Sequence, residues 1–365
     1  MKNLLLPLLF SVFVLYPGLD RAIAQTAPEE ILLRDFRPVS IYKIPVTEVS
    51  KARYPVIDVH SHPYAGSLAA VDQWVRNMDS VNVERTVILT YSVGERLDSL
   101  MAVYGRYPDR FEVWCGLDLA NHQEPGFTQR AVAELERCKE IGGKGIGEMS
   151  DKGWGLRSGT VTGHGMHLDD PLLQPVLKRA GELGLPINIH VADPIWMYMP
   201  MDSTNDGMMN AFKWRLDNRP DIVGHSGMID ILERAVSRNP ETTFIAVHFA
   251  NLSYDLERLA AMLDKYPNLY ADISARYAET ATIPRFMRDF YIRYQDRLLY
   301  GTDMGYNPGM YRTTFRILET ADEHFYAHDM FSYHWALNGF DLPDEVLRKI
   351  YRDNALKLFE SLRSQ

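Results

Sequence analysis

The chain has 365 residues, of which 46% are hydrophobic and 24% charged, enough to bury a large core as one α/β domain or two smaller ones. Its 39 basic and 48 acidic residues leave a formal charge of -9. No basic stripe runs along the sequence, which argues against nucleic acid or another polyanion as a partner.

The first residues, MKNLLLPLLFSVFVLYPGLDRAIAQ, have the pattern of a cleavable secretory signal over residues 1–24. Lys2 supplies the positive start, and Ala22-Ile23-Ala24 a small-x-small cleavage site before Gln25. The apolar stretch from Leu4 to Tyr16 is shorter than the roughly 20 residues a membrane span needs. No second long apolar run follows, so the mature chain is expected to be soluble, in the periplasm or secreted, with no membrane span. Residues 25–53 read as a polar, extended segment. Of the two cysteines, Cys115 lies in the strand-like FEVWCGLDL and Cys138 in the helix-like AVAELERCKE. A chain this long has no need of a staple, so both are expected as buried free thiols.

From residue 54 to 365 apolar runs alternate with helical patterns. The runs are VIDVH (56–60), RTVILTY (85–91), FEVWCGLDL (111–119), GKGIGEMS (143–150), LPINIHVA (185–192), TTFIAVHFA (242–250), LYADIS (269–274) and LLYGTDM (298–304). Between them lie stretches such as SLAAVDQWVRNMDSV and QRAVAELERCKEI. Repeated strand–helix alternation implies right-handed units around a parallel sheet, and eight of them point to a (β/α)₈ TIM-like barrel. No GxGxxG and no P-loop appears, so nucleotide readings lack support. Two connections are long, residues 151–170 and 193–229, and their aromatic content suits walls or lids over a site. The C-terminal LPDEVLRKIYRDNALKLFESL is amphipathic and is expected to pack outside the barrel.

Residues two apart on a strand share a face, so His60 and His62 look to one side. The fourth run ends in Glu148, the fifth in His190, the sixth in His248 and the eighth in Asp303. All six follow their apolar runs directly, which puts them at the C-terminal rim where barrel enzymes keep their chemistry. Four imidazoles and two carboxylates suit a divalent ion, zinc first, with manganese or iron as alternatives, and one ion or two. Any one of them alone has a structural reading: Asp303 as a turn cap, Glu148 as a partner of Lys144 or Arg157. The shared topological position of all six weighs against it. Arg276, after the seventh strand, suits a substrate carboxylate or an ion pair. Trp154, Arg157, His164 and His167 in one long loop, and Trp196 and Tyr198 in the other, face a substrate or pack the lid. His225 reads as structural, and His324, His328 and His334 lie in a late helical region without ligand spacing.

DVHSHP, NIHVADP, VHFAN and YGTDMG, in this order and spacing, resemble the amidohydrolase superfamily, specifically its amidohydrolase-related (amidohydrolase 2) branch. The resemblance runs from about residue 54 to the C-terminus. It implies a (β/α)₈ barrel with a divalent metal held by His60, His62 and His190. Asp303 would be ligand and proton shuttle, and His248 a second-metal ligand or an acid/base. Barrels of this branch often pair, so a homodimer is also implied. The branch holds hydrolases of C–N and C–O bonds, lactones included, and non-oxidative decarboxylases of small carboxylic acids. Glu148 resembles the bridging carboxylate of two-metal members, which favours hydrolysis with metal-activated water; decarboxylation is the alternative. A carboxylated Lys144, deeper on the same strand, would be a second bridging device.

Overall fold

Valine, isoleucine or leucine occurs in every one of the eight runs because each strand is covered on both faces, by helices outside and by the barrel's own interior inside. The structure, a computed structural model, describes residues 27–363; the signal-like residues 1–24 lie outside them. Residues 27–36 carry two single 3₁₀ turns, Pro28–Glu30 and Leu33–Asp35. The remainder forms a second compact unit.

The strands of that unit are β1 (Val56–Ser61), β2 (Val83–Leu89), β3 (Phe111–Trp114), β4 (Ile146–Asp151), β5 (Ile187–Val191), β6 (Phe244–Ala246), β7 (Leu269–Asp272) and β8 (Leu298–Leu299). β1, β2 and β3 pair in parallel, as do β4 through β8. Two seams close the ring. Cys115, just beyond β3, bridges in parallel to Ile146 of β4, and the Val59 amide of β1 donates to the Tyr300 carbonyl just beyond β8. The expected (β/α)₈ barrel is therefore the observed one. Its outer helices are α1 (Leu68–Val81), α2 (Gly94–Tyr104), α3 (Phe127–Glu140), α4 (Gln174–Glu182), α5 (His225–Arg238), α6 (Leu256–Lys265), α7 (Pro284–Arg293) and α8 (Pro308–Glu319). Among the described residues no helix is long and apolar enough to cross a membrane.

Three expectations need correcting. The C-terminal amphipathic segment, helical over Asp344–Arg348 and Asn354–Arg363, does not simply lie on the outside. Its Ala355, Leu358, Phe359 and Leu362 join Ile57, Val59, Val87, Leu89, Trp114, Ile245 and Leu299 in one buried cluster. Those strand residues face the barrel interior, so the segment stoppers the barrel's lower mouth. An open lower mouth would leave this apolar interior in water, which is the force that draws the segment in. Phe359, whose ring meets Trp114 at 5.9 Å, is the centre of the plug. Phe359→Ala is expected to cost about 3–5 kcal/mol, read as a shift of the urea midpoint.

The second correction concerns the cysteines, which form a disulfide, Cys115–Cys138, with Cα atoms 6.3 Å apart. It ties the tip of β3 to the last turn of α3. The bond closes a loop with a sequence separation of 23, so a Cys115→Ala/Cys138→Ala double variant is expected to lose about 3 kcal/mol of stability on chain-entropy grounds. Equal melting temperatures for the two proteins would show that the bridge contributes nothing.

Third, His324, His328 and His334 are not on a helix. Among the described residues the strand-type pairing there is a single bridge, Phe325 with Leu337. HFYAHDMFSYHW lacks a 3.6-residue apolar period, and two of its histidines are spent on the extended N-terminal segment instead. His324 Nδ1 lies 3.2 Å from Ser40 Oγ, and His328 Nε2 2.9 Å from the Pro38 carbonyl.

Candidate metal centre

The residues at the strand tips converge as their parity requires. β1 carries His60 and His62 into the upper mouth, their ring centroids 5.3 Å apart and perpendicular. A side chain at Gly301 could not be accommodated, since its Cβ would stand 2.8 Å from that of His60. Glu148 from β4 lies in the middle. Its Oε1 is 2.9 Å from His190 Nδ1, 3.8 Å from His60 Nε2 and 3.9 Å from His248 Nε2. Its Oε2 is 3.7 Å from His62 Nε2. Asp303 closes the ring, with Oδ1 2.9 Å from His62 Nε2 and 3.7 Å from His60 Nε2, and Oδ2 3.6 Å from His248 Nε2. The six candidate ligands thus meet at one place.

Each imidazole turns one nitrogen inward because the other is held from behind. His60 Nδ1 lies 2.8 Å from Asp272 Oδ2, His62 Nδ1 3.0 Å from the Leu89 carbonyl, and His248 Nδ1 2.9 Å from the Ser274 carbonyl. His190 is mounted the other way round. Its Nε2 is held at 3.1 Å by Asp193, which also takes Lys152 Nζ at 2.9 Å, and its Nδ1 faces Glu148. Outer partners of this kind fix the tautomer of metal-binding histidines.

The donor set fits a divalent ion. His60 Nε2 is buried without a hydrogen-bond partner, a costly arrangement unless something else takes its lone pair. His60, His62 and Asp303, and likewise His60, Glu148 and His248, offer ligand atoms that all lie within 4.8 Å of one another.

The electrostatics are those of an anion-rich nest. Burial opposes charge on His60, but Asp272, Asp303 and Glu148 outweigh it and raise its pKa to about 10. Burial likewise works against the ionised forms of Glu148 and Asp303; the surrounding histidines win and hold both below the ordinary carboxylate range. Burial, and then the positive charge of Arg276, press His248 far below its usual value.

Non-glycine residues with left-handed backbone gather at this rim: Tyr91, Ala192, Ala275, Asp303 and the run His248–Asn251. Such residues cost about 1 kcal/mol or more each, so the run needs an external frame. Asp272 Oδ1 accepts the His248 amide, Asn251 Nδ2 donates to the Val191 carbonyl, and His225 Nε2 meets the Asn251 carbonyl at 3.1 Å. Arg276 completes the frame, its guanidinium bound to Asn251 Oδ1 and 3.5 Å from Glu279. Buried and fully engaged, Arg276 shapes the turn that presents His248.

The other residues singled out in the sequence fall outside the cluster. Lys144 is exposed near the lower end of β4, away from the rim, which removes it as a bridging residue. Trp154 packs with Met197, Ala211 and Leu216 in a small core between the two long loops. Trp196 stands 5.8 Å from Trp335 and 6.4 Å from Tyr333. Arg157 is exposed on a short hairpin, Arg157–Ser158 with Val161–Thr162, that extends the sheet from β4. His167 anchors that loop through Asp151 at 2.7 Å.

Sequence reading passed over Tyr91, Asp193, Asp272 and Ser274. Tyr91 Oη lies 2.8 Å from His62 Nε2 and donates to Glu148 Oε2 at 2.9 Å, with its ring stacked on His62. Tyr91 ends the second run and Asp272 and Ser274 the seventh, so the strand-tip criterion that singled out the six candidate ligands would have found them too.

Barrel and rim together define an enzyme scaffold with a donor set fit for a divalent ion. The chain belongs to the amidohydrolase family, whose sequence model matches residues 55–360. Similar solved structures include an uncharacterised TIM-barrel protein from Bordetella bronchiseptica (15% identity, TM-score 0.52, 85% of this chain and 99% of that one). Another is 4-oxalomesaconate hydratase from Rhodopseudomonas palustris (16% identity, TM-score 0.50, 85% and 97%). At such identities the likeness shows the fold alone. No curated protein matches the sequence.

Proposed function

We propose that the chain is a metal-dependent hydrolase acting on a C–N or C–O bond, in an amide, lactone or ester, of a small molecule. The observation that carries this reading is the central position of Glu148, within 4 Å of nitrogens from all four histidines rather than turned outward to a basic partner. A carboxylate so placed can be shared between two ion positions, which suits hydrolysis more than decarboxylation. His60, His62, His190, His248, Glu148 and Asp303 would hold zinc, manganese or iron, which when bound would polarise a carbonyl and acidify water.

The chain's own residues divide the remaining work. Asp303, the most exposed of the six with a quarter of its side chain open, accepts the proton of the attacking water and passes it to the leaving group. His248, neutral in its setting, stands 3.6 Å away as a ligand or a relay for that proton. Tyr91 holds Glu148 Oε2 in place from the side.

Metal analysis of the purified chain, beside screens of amides, lactones, esters and carboxylic acids, tests the reading. Two equivalents of metal with hydrolysis of at least one compound is the expected result. One equivalent, with carbon dioxide released from an acid and no hydrolysis, would replace it with the decarboxylase. We also propose export, supported by the signal-like residues 1–24 and by a disulfide that suits an oxidising compartment. A secreted or periplasmic chain beginning at Gln25 is the expected product.

A further inference from the structure

Next to the metal centre lies a cavity of about 270 Å³, walled by the hairpin after β4 and by Arg219 from the second long loop. Its floor is Ser150, paired in the sheet with His190 on one side and with Arg157 on the other. Ser150 is two residues beyond Glu148 and so shares its face, about 7 Å further along the strand. Cavity and metal centre are therefore consecutive steps of one strand.

The charges around the cavity are unequally spent. Lys152 is neutralised by Asp193, at 2.9 Å, and Arg219 by both oxygens of Asp221, each at 3.1 Å. Arg219 also lies over the Trp154 ring at 4.7 Å. Arg157 uses only its Nε, on the Gly159 carbonyl at 2.7 Å. Its two terminal nitrogens, the Ser150 and Thr162 hydroxyls and the His164 ring meet no protein partner among the described residues. Polar groups that converge on a concave site without partners are what a ligand's polar end requires. One uncompensated guanidinium beside two hydroxyls suits a single negative charge of planar, two-oxygen shape better than a dianion.

We propose that this cavity binds a carboxylate of the substrate, held by Arg157 with Ser150 and Thr162, so that the substrate class is a small carboxylic acid carrying the bond to be cleaved. The assignment of that class rests on the hydrolytic reading above; the binding site itself does not.

Calorimetric titration of the metal-loaded protein with benzoate, benzamide and inorganic phosphate tests the site, in wild type, Arg157→Gln and Thr162→Val. Benzoate is expected to bind at least tenfold more tightly than benzamide. Arg157→Gln should remove most of that preference while leaving benzamide unchanged, and Thr162→Val should reduce it less. Both positions are at the surface of a hairpin, and unchanged melting temperatures will certify the fold. Benzoate binding that ignores Arg157 would place the anion elsewhere and overturn the proposal, as would phosphate binding more tightly through the same residue. Hydrolysis of 4-nitrophenyl acetate and its succinate half-ester, measured in parallel, separates the two readings. Arg157-dependent benzoate binding without any hydrolysis overturns the hydrolase and keeps the site; hydrolysis with equal kcat/KM for both esters in wild type does the reverse.

Discussion

Asp303→Asn is expected to lower turnover by about three orders of magnitude, within the range lost when a positioned acid/base is removed, while most of the bound metal stays. The reason lies in what asparagine keeps and what it gives up. The Asp303 amide would still donate to the His60 carbonyl, now at 2.8 Å, and Oδ1 would still face His62. The site therefore retains its shape and most of its ligands. An amide, however, cannot take a proton from water or return one to a leaving group. Metal content by mass spectrometry and steady-state turnover on whichever compound the screen yields should separate the two effects. Undiminished turnover would remove Asp303 from the proton path.

Glu148→Gln is expected to act on the metal first and on turnover in consequence. The carboxylate is the one anion near all four imidazoles, and its replacement removes the charge that two cations would share. About one equivalent of metal per chain is expected to be lost. His190 Nδ1 also loses its ionic partner at 2.9 Å, which loosens a ring otherwise held by Asp193 alone. If the variant holds as much metal as the parent and turns over as fast, Glu148 is a packing residue and the preference for hydrolysis loses its support.

The convergence of the six strand-tip residues was legible in the sequence because it obeys local rules. A strand has a period of two and a barrel has one functional rim, so the last polar residue of each apolar run has nowhere else to go. The same rules covered Tyr91 and Asp272, but tyrosine is not among the usual ligand types for a divalent ion, and Asp272 is not the last polar residue of its run, which Ser274 ends. The disulfide and the barrel plug were illegible for a different reason. Cys115 and Cys138 meet only because α3 packs back on β3, and Phe359 finds Trp114 across 245 residues of chain, contacts that leave no periodicity behind. Arg276 stayed open between a substrate carboxylate and an ion pair because a buried guanidinium and a substrate-gripping one look alike until Asn251 appears beside it.

The outward anchoring of the four rings has a consequence for how the site is filled and emptied. His60, His62, His190 and His248 have already given up their rotational freedom to Asp272, Leu89, Asp193 and Ser274. An arriving ion meets an ordered cage and has little side-chain entropy to overcome, unlike the small zinc domains whose folding waits on the metal. Stripping the ion with a chelator should therefore leave a chain with an intact circular-dichroism spectrum, ready to reload.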